Sequence, residues 1–336
     1  MRKLLLSLII LALLPSSASA SVYLKTTGDD STCVVDNSAL ACQTLAKAVS
    51  IVQDGQSVYC SNGTYTTTSL TRKFTRFTTI RGAGCHIPGL TITSGAKYNV
   101  MGLQIDGPLI VQGTDGFHAN SNVAITNPSD RCFFYRGSTD VVLDGISIHD
   151  CRRGIAAPAG IADDSADVTI KNSNLQHFTE DGLAIGDTSN VNITDNTFND
   201  MNDPANVLHN DGIQLFGNVL GINILRNTIT NSRTQGMLLQ AANGSNSNIF
   251  VQGNTVTGIG GVAVQVDAMQ NTVVDSNKFC GGLALPSGLE ALWFWSRNTP
   301  NDITVTNNQL SKQWSIRSQP VTVLQDFNNT VLTPCV

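Results

Sequence analysis

Charge, aromatic residues and histidine are all scarce in this chain. Only 13% of the 336 residues are charged, 6% are aromatic and five are histidine. No run of basic residues is present, which argues against nucleic acid as a partner, because phosphate binding needs a concentrated positive surface. None of the eight cysteines belongs to a Cys-x-x-Cys pair, which argues against a metal or redox motif. No long apolar run follows the first twenty residues, so we expect no membrane span.

The first twenty residues are typical of a secretory signal. Arg2 and Lys3 precede an apolar run from Leu4 to Leu14, and Ala18 to Ala20 offers a small-residue cleavage site. The apolar run is too short for a membrane span, although a retained anchor is the alternative. Eight cysteines fit an oxidising compartment, so we expect a secreted or periplasmic protein. Pairing in sequence order, one of many connectivities, would give Cys33–Cys42, Cys60–Cys85, Cys132–Cys151 and Cys280–Cys335.

Acidic residues outnumber basic residues once this segment is removed. Taking Arg2 and Lys3 from the 20 Lys and Arg leaves 18 against 25 Asp and Glu, a net charge near −7. An acidic polysaccharide is compatible with this balance only where the few arginines gather locally.

Short apolar segments repeat through the middle and C-terminal parts of the chain. Their starts lie 27, 23, 31, 27, 23 and 31 residues apart, and inward and outward positions alternate within each, as in a β-strand. Because no helical period accompanies them, the spacing predicts a solenoid of short strands in which each coil buries its neighbour's face. The segments are Val141–Leu143, Val168–Ile170, Val191–Ile193, Ile222–Ile224, Ile249–Val251, Thr272–Val274 and Ile303–Val305.

An asparagine follows five of these segments at one fixed offset, with an apolar residue two positions later. Asparagine tolerates the left-handed conformation that a sharp bend needs, and its amide can bond to copies above and below. We therefore expect a ladder of stacked asparagines at one bend of the solenoid. Its members are Asn196, Asn227, Asn254, Asn277 and Asn308.

This ladder, with three short strands in each turn, resembles the right-handed parallel β-helix of pectate-lyase-like proteins. The N-terminal segments Leu45–Val49, Asp54–Val58 and Asn62–Tyr65 are similar to those that follow the capping helix in relatives. The resemblance implies an all-β chain: a strand and capping helix in residues 21–60, a β-helix in residues 61–325, and a tail in residues 326–336 tied back by Cys335. The scaffold hosts lyases, hydrolases, epimerases and binding proteins, so it specifies the fold better than the reaction.

Two subfamily patterns are absent from the sequence. The His-Gly and Arg-x-Lys signatures of polygalacturonases do not occur, nor does the paired-arginine strand of calcium-dependent pectate lyases. Asn210–Ile213 resembles the polygalacturonase Asn-x-Asp-Gly box but lacks its second aspartate.

The segment Leu208–Gly217 brings a histidine, a carboxylate and an amide to one coil. A Gly-apolar-x-apolar frame that recurs in several coils is scaffold, so chemistry is sought in the side chains that differ around it. The loop 199–208 is a long insertion before this coil, and such loops form the grooves of solenoids. We expect the same register in Arg153–Ala156, Asp181–Ile185, Gln235–Leu239 and Gly261–Val264.

His209 and Asp211 are the first candidates for catalysis. A histidine acts as a base or an acid near neutral pH, and a carboxylate within reach orients it. The alternative is a loop histidine that caps backbone groups. Asp181 stands at the equivalent position one coil earlier, and two adjacent carboxylates would split their pKa values, as a glycosidase acid–base pair requires. Alternatively, Asp-Gly simply makes the turn, as at Asp115.

Basic and amide side chains beside these carboxylates are candidates for substrate binding. Arg152, Arg153 and Arg233 could hold carboxylates or sulfates in a bidentate manner, or stay solvated in turns. Arg233 could also take the C5 proton of a uronate, because relatives with this fold use basic residues there. Gln214 and Gln240 could bond sugar hydroxyls or stack as a structural row.

A shallow floor is expected between these groups. Ala156 and Ala184 would form it, with Glu180 beside Asp181 at its edge. Strand alternation predicts one outward row, made of His118, Phe134, Ala156, Ala184, Gln214, Leu238 and Ala263.

Together these features predict an exported enzyme, expected as a monomer, that cleaves a uronic-acid-containing polysaccharide by β-elimination. His209 or Arg233 would take the C5 proton, Gln214 and Arg153 would steady the carboxylate, and Asp211 would orient His209. Asp181 would position sugar or assist proton delivery. The alternatives are a C5-epimerase, an inverting hydrolase that uses Asp181 and Asp211, and a non-catalytic glycan-binding or adhesive β-helix. No cofactor is expected, and calcium, with Asp200 and Asp203, is the alternative.

Overall fold

The computed structural model describes residues 20–158, 165–203, 205, 208–240, 247–267, 270–281, 291–295, 302–311, 315–316 and 322–332. The expected signal segment lies outside these ranges apart from Ala20, and so does Cys335. No helix within the ranges is long and apolar enough to cross a membrane.

Strands make up most of the described chain. The N-terminal strands are β1 (Ser21–Leu24), β2 (Ser57–Cys60), β3 (Gly63–Thr64), β4 (Thr68–Leu70), β5 (Lys73–Arg81), β6 (Cys85–Ile87), β7 (Leu90–Thr93), β8 (Ala96–Met101), β9 (Gln104–Ile105), β10 (Leu109–Gln112) and β11 (Asp115–Asn120). The middle strands are β12 (Ala124–Arg136), β13 (Thr139–Asp144), β14 (Ser147–Ala157), β15 (Ser165–Lys171), β16 (Asn174–Phe178), β17 (Leu183–Gly186), β18 (Thr188–Thr194), β19 (Thr197–Met201), β20 (Asp211–Phe216), β21 (Leu220–Leu225), β22 (Thr228–Ser232) and β23 (Gln235–Gln240). The C-terminal strands are β24 (Ser247–Gln252), β25 (Thr255–Thr257), β26 (Val264–Asp267), β27 (Thr272–Asp275), β28 (Lys278–Phe279), β29 (Leu292–Trp295), β30 (Asp302–Thr306), β31 (Gln309–Leu310), β32 (Ser315–Ile316), β33 (Thr322–Phe327) and β34 (Thr330–Val331).

These strands stack in parallel into three ladders, and the long strands β12 and β14 belong to both the second and the third. The first ladder is β1-β2-β5-β8-β11-β13-β15-β18-β21-β24-β27-β30-β33. The second is β3-β6-β9-β12-β14-β16-β19-β22-β25-β28-β31-β34, and the third is β4-β7-β10-β12-β14-β17-β20-β23-β26-β29-β32. Three parallel ladders wound by one chain confirm the predicted all-β parallel β-helix. Strand pairing begins at β1 and ends at β34, so it extends past residues 61–325 at both ends.

The repeated apolar segments form the centre of the first ladder, as predicted. Val168 pairs with Val191, which pairs with Ile222, and the same register continues through Ile249 and Thr272. In each segment the first and third residues point inward and are buried, whereas the residue between them is half-buried or exposed. Each buried Val or Ile stabilises the coil by about 1.5–3 kcal/mol, so stacking provides the core that a single coil lacks.

The asparagine ladder is confirmed, and it continues beyond the predicted five. Asn254 donates from Nδ2 to Asn277 Oδ1 (3.0 Å) and to Ile224 O (2.8 Å), while its Oδ1 accepts from Asn227 N (2.9 Å). Asn329 extends the row at the C-terminal end.

The expected left-handed conformation of the ladder asparagines is wrong. The residue before each asparagine takes it instead, as at Asp195 (φ 56°), Arg226 (φ 53°) and Ser276 (φ 55°). The bend is made one position earlier, and the amide that follows is free to stack inside the solenoid.

The N-terminal helix and three of the four expected disulfides are present. Helix α1 (Leu45–Ile51) is capped by Thr44, whose side chain accepts from Lys47 N (3.2 Å), and it packs against β1 and β4. Its role as a cap of the solenoid stays a prediction. Cys280 is also disulfide-bonded, and its expected partner Cys335 lies outside the described residues. The observed pairs, which fit an oxidising compartment, are Cys33–Cys42, Cys60–Cys85 and Cys132–Cys151.

Candidate functional site

A column of glycines lies where successive coils enter the third ladder, and it explains the shared frame. A Cβ atom on Gly182 would lie 2.8 Å from Gly212 O and 3.1 Å from the buried Phe198, and one on Gly236 would lie 2.2 Å from Val256. Neighbouring coils therefore approach too closely for any side chain here. The column consists of Gly154, Gly182, Gly212 and Gly236.

The residues that precede these glycines stack in register from coil to coil. Asp211 pairs with Gln235, and the pairing of Leu183 with Ile213 places Asp181 opposite Asp211, as predicted. Two carboxylates thus face each other across one coil step of about 4.8 Å. The complete row of residues in this register consists of Arg131, Arg153, Asp181, Asp211 and Gln235.

The expected outward row is wrong at both of its ends. His118 lies on β11 in the first ladder, opposite Asn99 and Val142. Val264 pairs with Met237, so Gln265, not Ala263, stands opposite Leu238, and Gly261 lies two positions away from the expected register. The intervening turns differ in length, and alternation within a strand carries no information about them.

His209, Asp211 and Asp181 form a compact cluster at this row, which we call the His–Asp cluster. His209 Nδ1 lies 3.1 Å from Asp211 Oδ2, and the Asp211 N–H donates to Asp181 Oδ1 (3.1 Å). One oxygen or nitrogen atom from each of the three side chains lies within 4.8 Å of the others. The His209 side chain is 53% exposed, whereas that of Asp211 is 0% exposed and that of Asp181 is 4% exposed. Only the imidazole of the cluster is therefore presented to solvent.

The electrostatics of the His–Asp cluster follow from this burial. Desolvation, followed by repulsion from Asp211, raises the pKa of Asp181 from 3.8 to about 7. Desolvation also raises the pKa of Asp211, against the opposing contact with His209. The contact with Asp211 raises the pKa of His209 above 6.5, although burial acts in the other direction. Burial therefore favours the protonated form of Asp181, and the contact with Asp211 favours the protonated form of His209.

Two further side chains hold the His–Asp cluster in place. Thr234 Oγ1 donates to Asp211 Oδ1 (3.2 Å) and accepts from Asn210 N (2.8 Å). The loop that enters this coil is held by Asp203, whose carboxylate accepts from Ala205 N (3.0 Å) and Leu208 N (2.9 Å). The sequence reasoning missed Thr234, although its place opposite Asn210 in the coil alignment would have found it.

Arg152, Arg153 and Glu180 form a charged group next to the His–Asp cluster. Glu180 Oε2 lies 2.8 Å from Arg152 Nε, and Glu180 Oε1 accepts from Arg153 Nη2. Arg153 Nε lies 4.0 Å from Asp181 Oδ2. The arginines are 46% and 33% exposed, while Glu180 is 10% exposed. Glu180 thus organises two partly exposed guanidinium groups instead of facing solvent itself.

Arg233, Gln214 and Gln240 lie on neighbouring coils and are all half-buried. Among the described residues, no ion pair joins Arg233 to Asp181, Asp211 or Glu180. Gln214 stands opposite Ala184 and Leu238 in the third ladder, and Gln240 stands opposite Asp267. Gln214 therefore lies in the row of Ala156 and Ala184, and Gln240 lies two positions further along the next strand.

The expected alanine floor is present but covered. Ala156 and Ala184 pair with each other, and they are 5% and 3% exposed. Little alanine surface is therefore accessible to a ligand.

A divalent cation is compatible with the His–Asp cluster by donor type. Two carboxylates and an imidazole suit a borderline metal such as zinc or manganese better than calcium, which prefers oxygen ligands alone. Asp203, considered in the sequence for calcium, instead bonds the backbone of its own loop.

Comparisons with known proteins agree with this architecture. A family model described as a right handed beta helix region matches residues 108–252, which include the His–Asp cluster. No curated protein matches the sequence significantly.

Several solved structures share the fold at low sequence identity. The periplasmic alginate epimerase AlgG is 14% identical, with a TM-score of 0.57 over 82% of this chain and 77% of that one. The GH136 lacto-N-biosidase from Eubacterium ramulus is 10% identical, with a TM-score of 0.56 over 93% of this chain and 67% of that one. PfbA, a surface adhesin of Streptococcus pneumoniae, is 13% identical, with a TM-score of 0.50 over 81% of this chain and 85% of that one. At these identities the likeness shows the fold alone.

Proposed function

Starting from the right-handed parallel β-helix of the pectate-lyase-like superfamily, we propose that this chain is a secreted or periplasmic lyase that cleaves a uronate-containing polysaccharide. The observation that carries the proposal is the exposed imidazole of His209 against the fully buried carboxylate of Asp211. A buried carboxylate fixes the orientation and basicity of an imidazole. The activities named for two structural neighbours, an alginate epimerase and a lacto-N-biosidase, support a carbohydrate substrate.

In the proposed reaction His209 removes the proton from C5 of a uronate unit. The electron pair of the C5–H bond forms the C4–C5 double bond while the C4–O4 bond breaks. Charge passes through the C6 carboxylate, where Arg153 and Gln214 stabilise it. Arg152 holds the neighbouring part of the chain, and Glu180 keeps both arginines in position.

Asp181 is nearly as buried as Asp211, so it assists delivery of the proton that the leaving O4 oxygen needs through the exposed imidazole of His209, which carries the proton taken from C5. The Asp181 pKa of about 7 keeps this side chain largely protonated below neutral pH, unlike an ordinary carboxyl group. Asp211 remains the partner of His209, because a side chain with no exposed surface cannot reach a sugar. The two aspartates therefore have different roles, which burial assigns.

The carboxylate spacing disfavours the inverting hydrolase. That mechanism needs carboxyl groups roughly 6.5–9.5 Å apart so that a water molecule fits beside the sugar. Here an oxygen of Asp181 and an oxygen of Asp211 lie within 4.8 Å of each other, and Asp211 is inaccessible.

A C5-epimerase is the second candidate, and the alginate epimerase neighbour favours it. It shares the removal of the C5 proton but returns a proton to the opposite face of the sugar. A non-catalytic glycan-binding protein is the third, and the adhesin neighbour favours it. These three activities differ in their products, so one assay separates them.

The test is incubation with a panel of uronate polysaccharides. Lyase activity produces unsaturated uronates, which absorb in the ultraviolet, together with new chain ends. An epimerase instead incorporates solvent deuterium at C5 without new ends, and a binding protein does neither. New ends without unsaturated product would refute elimination.

Substituting His209→Ala tests the assigned base. We expect a loss of roughly 10²–10⁴-fold in kcat, the usual contribution of a general base. His177→Ala is the matched control, because His177 is similarly exposed (49%) but pairs with Asp150 in the second ladder. Equal activity of the two variants would show that His209 is not the base.

A further inference from the structure

A cavity of about 350 Å³ lies on the third ladder, N-terminal to the His–Asp cluster. Its apolar side is formed by Pro108, Ile110 and Phe134, and its polar side is formed by Asn127, Ser129, Asp130 and Arg131. Concave sites with an apolar surface and a few placed polar groups are typical of ligand binding. The proposed reaction does not use this cavity.

The cavity stands in line with the catalytic coils. Ile110 pairs with Phe134, Phe134 with Ala156, Ala156 with Ala184, and Ala184 with Gln214. Three coil steps separate Phe134 from Gln214, a distance of roughly 14 Å, which spans roughly two or three pyranose units. A polysaccharide chain lying along the ladder from the His–Asp cluster would therefore reach the cavity.

The polar side of the cavity is held by a bulge in β12. The register of β12 against β14 shifts on both sides of Asn127, where the chain contains extra residues. Asn127, which is 6% exposed, donates from Nδ2 to Arg131 O (2.8 Å) and accepts from Ser129 Oγ (2.9 Å). The adjacent Cys132–Cys151 disulfide ties the bulge to the next coil.

This bulge places a guanidinium group against an aromatic ring. Arg131 Cζ lies 4.8 Å from the centre of the Phe134 ring, and Arg131 Nε lies 3.4 Å from Asp130 Oδ2. The Arg131 side chain is 36% exposed. A guanidinium carries five N–H donors, so the contact with Asp130 leaves donors for a carboxylate.

We propose that this cavity binds a second uronate unit of the same polysaccharide, with the sugar ring against Phe134 and its carboxylate on Arg131. The inference rests on the proposed function for the identity of the polymer. An apolar ring face packs on an aromatic side chain, and a carboxylate pairs with a guanidinium, so the cavity matches both parts of a uronate. The cavity gives the enzyme a preference for chains long enough to reach it.

The experiment measures binding of oligouronates by calorimetry, with tri- and hexasaccharides from alginate and from polygalacturonate as probes. The variants are Phe134→Ala and Arg131→Gln, each in full-length protein that also carries His209→Ala, so that no probe is consumed. We expect Phe134→Ala to weaken hexasaccharide binding about threefold to tenfold, as loss of one aromatic contact does, and to leave trisaccharide binding unchanged. Phe250→Ala is the control, because Phe250 is an exposed phenylalanine (45%) on the first ladder.

Arg131→Gln separates charge recognition from packing. We expect it to weaken binding of the oligouronate hexasaccharide and to leave binding of its carboxyl-reduced, neutral form unchanged. Unaltered hexasaccharide binding in both variants would overturn the inference while leaving the role of His209 intact. Failure of the His209→Ala parent to bind any probe would overturn both the inference and the proposed substrate class.

Discussion

Replacing Asp181 with asparagine should make the protein more stable and less active. Asparagine keeps the oxygen that accepts from Asp211 N, and its amide donates as the protonated carboxyl group does. The substitution removes only the negative charge of the carboxylate, which is unfavourable in a buried position. Active sites often retain residues that lower the stability of the fold.

The size of the gain follows from the raised pKa. The folded chain keeps the Asp181 proton up to about pH 7, whereas an unperturbed aspartate releases it near 3.8. Between these values the folded state binds more protons than the unfolded state, so the free energy of unfolding falls as pH rises and levels off above about 7. Three pKa units at about 1.4 kcal/mol each give a penalty of about 4 kcal/mol for the wild type above pH 7.

The assay is urea unfolding of the wild type and Asp181→Asn at acidic and mildly alkaline pH, with the disulfides intact. We expect equal stabilities at the acidic pH and a gain of up to about 4 kcal/mol for the variant at the alkaline pH. Lyase activity should fall by roughly 10²–10⁴-fold. Asp195→Asn is the control, because Asp195 is exposed and Arg226 lowers its pKa, so no alkaline gain is expected.

The outcome that contradicts this reasoning is a variant that follows the wild-type pH dependence. A variant less stable than the wild type at alkaline pH would show that the Asp181 carboxylate serves the turn and is not opposed by burial.

Two other predictions concern the reaction and the fold. The pH profile of kcat/KM should be bell-shaped, because His209 must be deprotonated and Asp181 protonated; the acidic limb should lie above pH 6.5 and the alkaline limb near 7. A flat profile of kcat/KM between pH 5 and 9, measured by initial rates, would show that neither His209 nor Asp181 takes part in the reaction as proposed. Asn254→Ala should destabilise the protein by about 3 kcal/mol or more, since it leaves buried backbone groups unpaired at about 1–3 kcal/mol each. Asn223→Ala, at a half-buried asparagine, is the control, and a similar urea midpoint for both variants would argue against the ladder as a source of stability.

The coil register was readable in the sequence because every coil repeats the same local pattern. The inward residues Val168 and Val191 and the ladder residue Asn254 each sit at a fixed offset, and stacking turns a fixed offset into a contact. The sequence also predicted that Asp181 and Asp211 lie opposite each other, because each directly precedes a glycine at the same position of its coil. Glycine is required there because neighbouring coils approach too closely for a side chain.

The sequence did not predict the register of strands that are separated by turns of unequal length. The predictions that His118 lies in the third ladder and that Ala263 lies opposite Leu238 are wrong, because alternation within a strand carries no information across a turn. Thr234 was missed, since a threonine in a turn carries no signal until the coil beneath it is known.

By itself, the sequence determined that this chain winds into stacked coils and that a histidine and two aspartates meet on neighbouring coils. Tertiary structure alone decided which of these side chains faces solvent. The side chain of His209 is half-exposed, whereas that of Asp211 is fully buried. The burial and the pKa of a side chain depend on neighbours that are about thirty residues away along the chain but only one coil away in space, so a local sequence pattern does not reveal them.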